Sequence, residues 1–291
     1  MFGNVEAFYR PGNVPEALRL LQKAKGQARV LAGGTDLALA ADLSVRFLID
    51  ITQAGLTYIR RRNQTIVIGA TTTMADLEES PILGALAGGL LCRAAASCGS
   101  IEIRNVATLG GNMANGSPAA DLATPLLVLD ASVVLADTRR KRKVPLLDFL
   151  SGAGPCPAVP AACLLTEVVI PEPPNGRRCG WSFQKFGRTA VDISVLNVAA
   201  GLELDARHRV KWVRIAVGAA APVPLRTLAA EELATGRVLD RALLAEISDE
   251  VVRELRPITD QRASAEYRRE LAHVLTGRAL EECAAQAGHA I

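Results

Sequence analysis

Two glycine pairs carry the residues of this sequence that are best suited to chemistry. The first pair lies in the loop Ala32–Asp36, between an apolar strand-like run and a predicted short helix. Glycine permits a positive φ and lets a ligand approach the backbone, and free N–H groups at a helix start attract anions. The loop is therefore a candidate anion site, and a tight turn without a ligand is an equal alternative.

Asp36 is an unexpected residue for an anion site. Two unit charges about 4 Å apart repel by about 4 kcal/mol at an effective dielectric of about 20. The conflict is removed if the carboxylate caps the following helix and faces away from the anion.

The second glycine pair lies in a longer polar stretch, Thr108–Asp121. This stretch gathers hydroxyls, amides and glycines beside a predicted helix start, and it would make a poor core. Its polar groups are hydrogen-bonding partners of the kind that a pyrophosphate or a ribityl chain requires. A surface turn with no ligand is the alternative.

Other common catalytic constellations are absent from the sequence. The three histidines, His208, His273 and His289, are far apart, so a zinc site or a histidine-based triad lacks its parts. The six cysteines form no C-x-x-C pair and no iron–sulfur ligand set. There is also no P-loop, no G-x-S-x-G elbow and no G-x-G-x-x-G fingerprint.

The composition bounds the class of protein. The chain has 291 residues, of which 49% are hydrophobic, which is long enough for two domains and too apolar for a disordered chain. The 33 Lys and Arg against 30 Asp and Glu leave a net charge of +3, which we expect to be spread over the whole length. Without a basic patch, and with only 4% aromatic residues, the composition argues against a nucleic-acid partner.

Neither a membrane span nor a secretory signal is visible. The most apolar run, Pro125–Ala136, is interrupted by Asp130 and is shorter than the roughly 18 to 20 residues of a span. Met1–Arg10 lacks a basic segment followed by an apolar one. Cysteines without a secretory signal favour free thiols in a reducing compartment, so we expect a cytoplasmic protein.

The elements that must hold the first loop form a predicted α/β unit over residues 1–56. Asn13 caps a helix, and Arg29–Leu31 is a short strand that runs into the loop. One or two helical turns at Leu37–Asp42 and a buried strand at Phe47–Ile51 complete the unit.

The second loop belongs to residues 57–175. Strands are predicted at Thr65–Gly69, Ser132–Ala136 and Leu164–Ile170, and helices at Thr73–Glu79, at Pro81–Cys98 and from Asp121. Leu146–Pro160 is rich in Gly and Pro and is predicted to be a loop.

A proline cluster with Asn175 and Gly176 marks the predicted domain boundary, which gives domains of 1–175 and 176–291. Beyond it lie three strand-like runs, Trp181–Phe186, Val198–Leu204 and Val210–Val217. The last two are joined by Asp205–Arg209, which predicts an antiparallel hairpin. The remainder is predicted to be helical, with breaks at Gly236, Pro257 and Gly277. This order favours a small sheet covered by helices.

The two loops together resemble a known family, the FAD-binding (medium) subunits of the molybdenum hydroxylases, of the xanthine dehydrogenase and carbon monoxide dehydrogenase type. The matching motifs are Ala32–Leu37, Ile103–Asn105 leading into Ala107–Asn112, Ser117–Asp121, Leu165–Glu167 before Ile170–Pro171, and Lys185–Arg188 with Asp192–Ile193. Their order and spacing are similar to those of the family from Phe8 to about Val217. Two such motifs in register are far more specific than either alone.

The resemblance implies an α+β fold of two parts. The first is a two-subdomain FAD-binding domain of the vanillyl-alcohol oxidase (PCMH) type, with subdomains at about 1–56 and 57–175 and FAD between them. The second, residues 176–291, is a C-terminal α+β domain with a small antiparallel sheet covered by helices.

The resemblance also implies which residues contact FAD. Backbone N–H groups of Ala32–Asp36 would hold the pyrophosphate, Thr108–Asn112 would approach it from the second subdomain, and Asp121 would bond the ribityl or ribose region. Leu165 and Lys185 would lie closer to the flavin ring, where a cation stabilises reduced, anionic flavin. A solvated strand lysine is the alternative for Lys185. The complete implied set is Leu31, Ala32, Gly33, Gly34, Thr35, Asp36, Leu37, Ala107, Thr108, Gly110, Gly111, Asn112, Asp121, Leu165 and Lys185.

Partner subunits follow from the same resemblance. In this family electrons pass from a molybdenum cofactor through two [2Fe–2S] clusters to FAD, and then to NAD, oxygen, a quinone or another acceptor. The chain has neither the cysteine motifs nor the length for the other centres. The resemblance therefore implies FAD on this chain, the clusters on a small iron–sulfur subunit and the molybdenum cofactor on a large subunit. No catalytic residue or metal ligand is assigned to this chain.

Two alternatives stay open from the sequence, a stand-alone FAD oxidoreductase and a flavin-free scaffold subunit of the same fold. The substrate cannot be read from this chain, because in the family it is chosen in the molybdenum subunit.

Overall fold

A computed structural model describes residues 4–39, 43–151, 159–160, 162–173 and 178–291. The chain divides into two units, and neither is a continuous stretch of sequence. The first unit comprises Met1–Leu77, Ser100–Gly116 and Ala131–Pro171, and the second comprises Glu78–Gly99, Ser117–Asp130 and Glu172–Ile291. The predicted boundary at residue 175 lies outside the described residues.

The secondary-structure elements around the first loop come mainly from the N-terminal segment of the first unit, Met1–Leu77. Its elements are β1 (Ala7–Tyr9), α1 (Val14–Lys23), β2 (Ala28–Leu31), β3 (Phe47–Asp50), β4 (Ile59–Arg62), β5 (Thr65–Gly69) and α2 (Met74–Glu78). The strands β1, β3 and β2 lie side by side in that order as a parallel sheet. Asn13 caps α1 by accepting the N–H of Glu16, and Pro15 lies in the first turn, which confirms the predicted helix.

The middle of the chain alternates between the two units. In chain order its elements are α3 (Pro81–Gly84), α4 (Leu90–Ala96), α5 (Ile101–Arg104), α6 (Leu109–Asn115), α7 (Ala123–Val128), β6 (Ser132–Ala136), β7 (Lys141–Pro145), α8 (Leu146–Ser151) and β8 (Leu164–Pro171). Helices α3, α4 and α7 belong to the second unit, and the others belong to the first.

The larger sheet of the first unit has five antiparallel strands in the order β4-β5-β8-β6-β7. Alternate residues of neighbouring strands face the core, as the two-residue period of a strand requires. Ile66 and Ile68 of β5 and Val168 and Ile170 of β8 are all fully buried. This face of the sheet therefore packs into the hydrophobic core of the first unit.

The second unit is completed by the C-terminal part of the chain. Its elements are β9 (Cys179–Phe186), β10 (Leu196–Leu204), β11 (Val210–Gly218), β12 (Leu225–Arg226), α9 (Leu228–Ala234), α10 (Arg241–Glu254) and α11 (Ala265–Gln286). The strands form an antiparallel sheet in the order β12-β11-β10-β9, and α11 packs on β9 and β10. The predicted hairpin and the predicted helix-covered sheet are confirmed.

Three predicted elements are corrected by the structure. The single helix predicted at Pro81–Cys98 is wrong, because positive φ angles of 48° at Ala87, 59° at Gly88 and 73° at Gly89 separate α3 from α4. Glycine reaches this left-handed region at no steric cost, so a pair of glycines ends one helix and starts the next.

The predicted loop Leu146–Pro160 begins instead with helix α8. Leu146, Phe149 and Leu150 are buried at the i, i+3, i+4 spacing of a helical face, a pattern that the following glycines and prolines obscured. Residues 152–158 lie outside the described part, as do residues 40–42 of the helical turns predicted at Leu37–Asp42, of which Leu37–Leu39 forms one 3-10 turn.

The predicted break at Gly277 is also wrong, because this residue lies inside α11. A Cβ at this position would come within 3.3 Å of Leu244 Cδ2 on α10. The missing side chain therefore allows the close packing of two helices rather than ending one.

Positive charge is not evenly spread, which corrects the expectation from composition. Five consecutive basic residues, Arg139–Lys143, lead into and occupy the edge strand β7, and all five are exposed. The opposite edge strand, β4, carries exposed arginines at 60, 61 and 62. Charge on an edge strand opposes pairing with another chain.

The described residues contain neither a membrane-spanning helix nor a candidate metal site. None of their helices combines the length and the apolar character that crossing a bilayer requires. Nor do three or more of their His, Cys, Asp and Glu side chains gather into a group that could hold a metal ion.

Candidate functional site

The first glycine loop follows the carboxyl end of β2 and packs directly on the backbone that precedes the second loop. A Cβ on Gly33 would lie 1.9 Å from the carbonyl oxygen of Val106 and 2.9 Å from Cα of Ala107. Only glycine permits this approach. The structure therefore brings Ala32–Leu37 and Ala107 together within the first unit.

Unused backbone donors are concentrated in the first loop. Among the described residues, none accepts a hydrogen bond from the N–H groups of Gly33, Gly34, Thr35 and Asp36. Gly34 has a φ of 72°, and successive N–H groups around such a residue form a concave anion-binding nest. The loop thus has the donor set that a pyrophosphate requires.

Asp36 does not cap the turn that follows it. The N–H groups of Ala38 and Leu39 donate to the backbone carbonyls of Gly34 and Asp36, so the predicted side-chain cap is wrong. Asp36 is instead exposed. Charge repulsion with a bound anion is reduced by solvent screening at this exposed position.

The second loop uses its own backbone donors within the protein. Thr108 accepts the Gly111 N–H at Oγ1 over 3.2 Å and the Asn112 N–H at its carbonyl over 2.9 Å, so it caps α6. Gly110 donates to the carbonyl of Ala70, and a Cβ there would be 2.6 Å from that residue's own Cβ. This loop offers an exposed, side-chain-free surface at Gly111 rather than free N–H groups.

Asn112 carries the one buried side-chain oxygen or nitrogen of the second loop that lacks a hydrogen-bond partner in the described part of the chain. Its Oδ1 is buried and has no hydrogen-bond partner there. A buried acceptor left unsatisfied costs about 1 to 3 kcal/mol. Such an atom is expected to accept a hydrogen bond from a ligand.

Leu165 is tied to the second loop through the large sheet. It is buried on β8, next to Thr166, whose carbonyl accepts the N–H of Ala70 over 3.0 Å. Ala70 in turn accepts from Gly110, so a continuous set of backbone hydrogen bonds joins β8 to the start of α6. The predicted first-unit residues therefore form one connected group.

Asp121 and Lys185, the other two predicted site residues, belong to the second unit and form a buried ion pair. Lys185 Nζ lies 2.7 Å from Asp121 Oδ2 and donates also to the carbonyl of Ser97 over 2.7 Å. The Lys185 side chain is only 10% exposed. The alternative interpretation as a solvated lysine is therefore wrong.

The second oxygen of Asp121 is also engaged. Oδ1 accepts from Ser194 Oγ and, over 3.3 Å, from Asn197 Nδ2, and Asn197 Oδ1 accepts from Thr124 Oγ1 over 2.7 Å. Burial raises the pKa of the Asp121 carboxyl above its ordinary value, while Lys185 and these hydrogen bonds oppose the rise. Lys185 therefore lies against an acidic side chain and is not an isolated cation.

Sequence reasoning missed Ser194 and Asn197, which donate to Asp121, and Thr124, which donates to Asn197. Each is fully buried. A usable signal existed at Asn197, which stands between Leu196 and Val198 in an otherwise apolar strand, because buried amides are retained only with hydrogen-bond partners.

Taken together, these features define a class of protein. A loop of free N–H groups after a strand of a small parallel sheet, packed on a second glycine-rich helix start, is typical of proteins that bind a dinucleotide cofactor.

Comparison with known proteins identifies the family. Residues 2–173 match the model described as the FAD binding domain in molybdopterin dehydrogenase, and residues 181–283 match the CO dehydrogenase flavoprotein C-terminal domain. The xanthine dehydrogenase FAD-binding subunit of Escherichia coli O157:H7 is 33% identical over 289 residues, which cover 97% of each chain. The carbon monoxide dehydrogenase medium chain of Afipia carboxidovorans is 31% identical over 286 residues, covering 96% of this chain and 97% of that one.

A solved structure agrees with these relatives. A chain of the Hydrogenophaga pseudoflava carbon monoxide dehydrogenase, in a form lacking the Mo-pyranopterin moiety, superposes with a TM-score of 0.92 at 29% identity, covering 98% of this chain and 99% of that one. The chain belongs to the FAD-binding medium subunits of the molybdenum hydroxylase family. The predicted fold class, the oxidoreductase function and the assignment of FAD to this chain are confirmed.

The proteins that this chain resembles also include subunit alpha of the 6-hydroxypseudooxynicotine dehydrogenase complex of Paenarthrobacter nicotinovorans and a chain of a Cu,Mo-CO dehydrogenase. These names confirm that related chains are subunits of heteromeric dehydrogenase complexes, as predicted.

Proposed function

We propose that the first loop, residues 31–37, holds the FAD pyrophosphate through its free N–H groups, with residues 107–112 beside it. The observation that carries this proposal is the run of four unused backbone donors at 33–36 among the described residues. The orphaned oxygen of Asn112 supports a ligand that carries hydrogen-bond donors as well as anionic oxygens. Leu165, Asp121 and Lys185 complete the proposed set.

Each proposed group has a distinct task. The nest orients an anion without adding a positive side chain, and the exposed Gly111 presents no side chain to a ligand. In the second unit, the buried pair of Asp121 and Lys185 orders Ser194 and Asn197, which donate to Asp121. When bound, FAD exchanges one or two electrons, and this supplies the link between one-electron iron–sulfur centres and a two-electron acceptor.

We also propose the finer assignments that the family implies for this chain. Its partners are a small subunit with [2Fe–2S] clusters and a large subunit with the molybdenum cofactor, and the external acceptor is NAD or another small oxidant. A cytoplasmic location is supported by the free thiols of Cys92, Cys163 and Cys283. Domains of 1–175 and 176–291 remain our proposed boundaries.

Absorbance of the purified chain tests the proposal. We expect flavin bands near roughly 370 and 450 nm, present on isolation or gained on adding FAD. A chain with neither would support the flavin-free scaffold and would refute the proposed site. Turnover of a substrate without any partner subunit would favour the stand-alone oxidoreductase instead.

Replacing Asn112 with leucine separates ligand binding from stability. Because Oδ1 has no partner among the described residues, Asn112→Leu removes an unsatisfied acceptor and is expected to leave the melting temperature of the FAD-free chain unchanged or higher. The affinity for FAD is expected to fall about tenfold, since one ligand hydrogen bond is lost. Thermal unfolding without flavin and titration with FAD measure the two effects.

Loss of stability with unchanged affinity would show that Oδ1 serves the fold and does not face FAD. Asn115→Leu, at the end of the same short helix, is the matched control for an Asn-to-Leu change.

A further inference from the structure

Ala219 lies directly after β11 in a conformation that alanine rarely adopts. Its φ is 62°, in the left-handed region, and its side chain is buried. The Cβ of an L-residue crowds the following carbonyl oxygen there, so the conformation persists only when neighbouring contacts hold it.

Both backbone groups of Ala219 are held. Its N–H donates to the carbonyl oxygen of Pro118 over 2.6 Å, and its carbonyl accepts from Arg268 Nη1 over 2.6 Å. Pro118 belongs to the Ser117–Asp121 segment, which ends at the buried ion pair. The backbone of this one residue thus connects the long helix α11 to the segment that carries Asp121.

Arg268 is itself fixed in place. It is 2% exposed, and its Nη2 donates to Asp260 Oδ1 over 2.7 Å. The same oxygen accepts the backbone N–H groups of Arg262 and Ala263. Although burial acts to raise it, these donors and the guanidinium hold the pKa of Asp260 below its usual value, so the acceptor stays ionised.

The residue before Ala219 makes a second, independent connection to Asp121. A Cβ on Gly218 would lie 2.6 Å from Asn197 Oδ1, so glycine is required for this packing. Asn197 donates to Asp121 Oδ1. The two adjacent residues therefore constrain the Ser117–Asp121 segment at both of its ends.

We infer that Arg268 is a positioning residue for the flavin site, which acts through the backbone of Ala219 to set the position of Ser117–Asp121. The inference rests on the proposed function, because it takes Asp121 as part of the FAD site. It assigns a role in cofactor binding to a residue of the C-terminal helix that belongs to none of the glycine-rich motifs.

The 291-residue chain with Arg268→Met tests this role. We expect the dissociation constant for FAD to rise about tenfold or more, because the Ala219 carbonyl loses its donor and Pro118 its fixed partner. Leu243→Ala, a buried core change on α10 of the same unit, is the control for general loss of stability. Titrations are compared at temperatures equally far below each variant's melting temperature. Equal affinities of the two variants would overturn the inference.

Arg268→Lys gives a milder test if the methionine variant fails to fold. Lysine keeps the charge but cannot reach two acceptors with the planar fork of arginine, so we expect an intermediate dissociation constant. An Arg268→Lys chain with wild-type affinity would contradict the need for both hydrogen bonds.

A rescue experiment tests the route through Ala219. Glycine adopts a positive φ without steric cost, so Ala219→Gly combined with Arg268→Met is expected to recover part of the lost affinity. No recovery would overturn action through this residue. A wild-type chain that takes up no FAD would remove the proposed function together with this inference, whereas wild-type binding with an unaffected Arg268→Met variant would remove the inference alone.

Discussion

Gly33→Ala is expected to abolish FAD retention and to lower the free energy of unfolding of the chain by about 3 kcal/mol. The added Cβ would lie 1.9 Å from the carbonyl oxygen of Val106 and 2.6 Å from its carbonyl carbon. These are backbone atoms, which cannot rotate away as a side chain can. The loop must separate from the segment before the second loop, and the nest of N–H groups loses its shape.

The measurements are flavin content after purification and chemical denaturation of the same sample. Gly12→Ala is the matched control, because it adds the same methyl group where no heavy atom lies within 4 Å of the new Cβ. We expect this control to bind FAD as the wild type does. A Gly33→Ala chain with wild-type stability and full flavin content would show that the two loops are not in contact.

Lys185→Met is expected to destabilise the chain by about 3 to 5 kcal/mol, because it leaves the Asp121 carboxylate buried without its countercharge. The carbonyl of Ser97 loses its donor in the same change. Lys211→Met is the matched control, since Lys211 pairs with Glu203 on the same sheet but is 53% exposed. Exposed pairs contribute about 1 kcal/mol or less.

The pH dependence of stability identifies the buried charge as the cause. Asp121 already has a raised pKa, and removing Lys185 raises it further. An acid whose folded pKa exceeds its unfolded value destabilises the folded state, and this penalty grows as pH rises from the unfolded pKa to the folded pKa and is constant above it. The deficit of Lys185→Met should therefore be largest at neutral pH and shrink toward pH 4, near the ordinary Asp value of 3.8.

The double variant Lys185→Met with Asp121→Asn is expected to recover most of the lost stability, because no buried charge remains. Urea denaturation at a series of pH values measures both effects. A deficit that is independent of pH, or one that the second substitution does not reduce, would show that lost packing and not charge is responsible.

Much of the fold follows from local patterns in the sequence. The cap at Asn13 and the spacing of apolar residues predict α1, and the polar turn at 205–209 between two apolar runs predicts the β10–β11 hairpin. These signals are readable because each depends on residues close together in the chain. The two glycine loops can be recognised for the same reason, and they predict the candidate-site residues 31–37 and 107–112 of the first unit.

Features that depend on distant residues could not be predicted. The partner of Lys185 is 64 residues away in the sequence, and the pattern around a lysine does not reveal that a carboxylate neutralises it. Gly277 and Gly88 both interrupt apolar, helix-like stretches of the sequence. In the structure, Gly277 lies within α11 and packs against α10, whereas Gly88 has a positive φ and separates α3 from α4. Asp36 failed as a cap because the backbone carbonyls of Gly34 and Asp36 already satisfy the available donors.

The division of each unit among separate segments affects how the protein is made. All six residues of α7 are buried, and α7 packs against β10 and β11. Those strands lie within Glu172–Ile291, which the ribosome has still to synthesise when α7 emerges. At about 5 to 20 residues per second, the apolar helix waits on the order of ten seconds without its sheet. During translation, this interval is when the chain is most open to aggregation and to capture by chaperones.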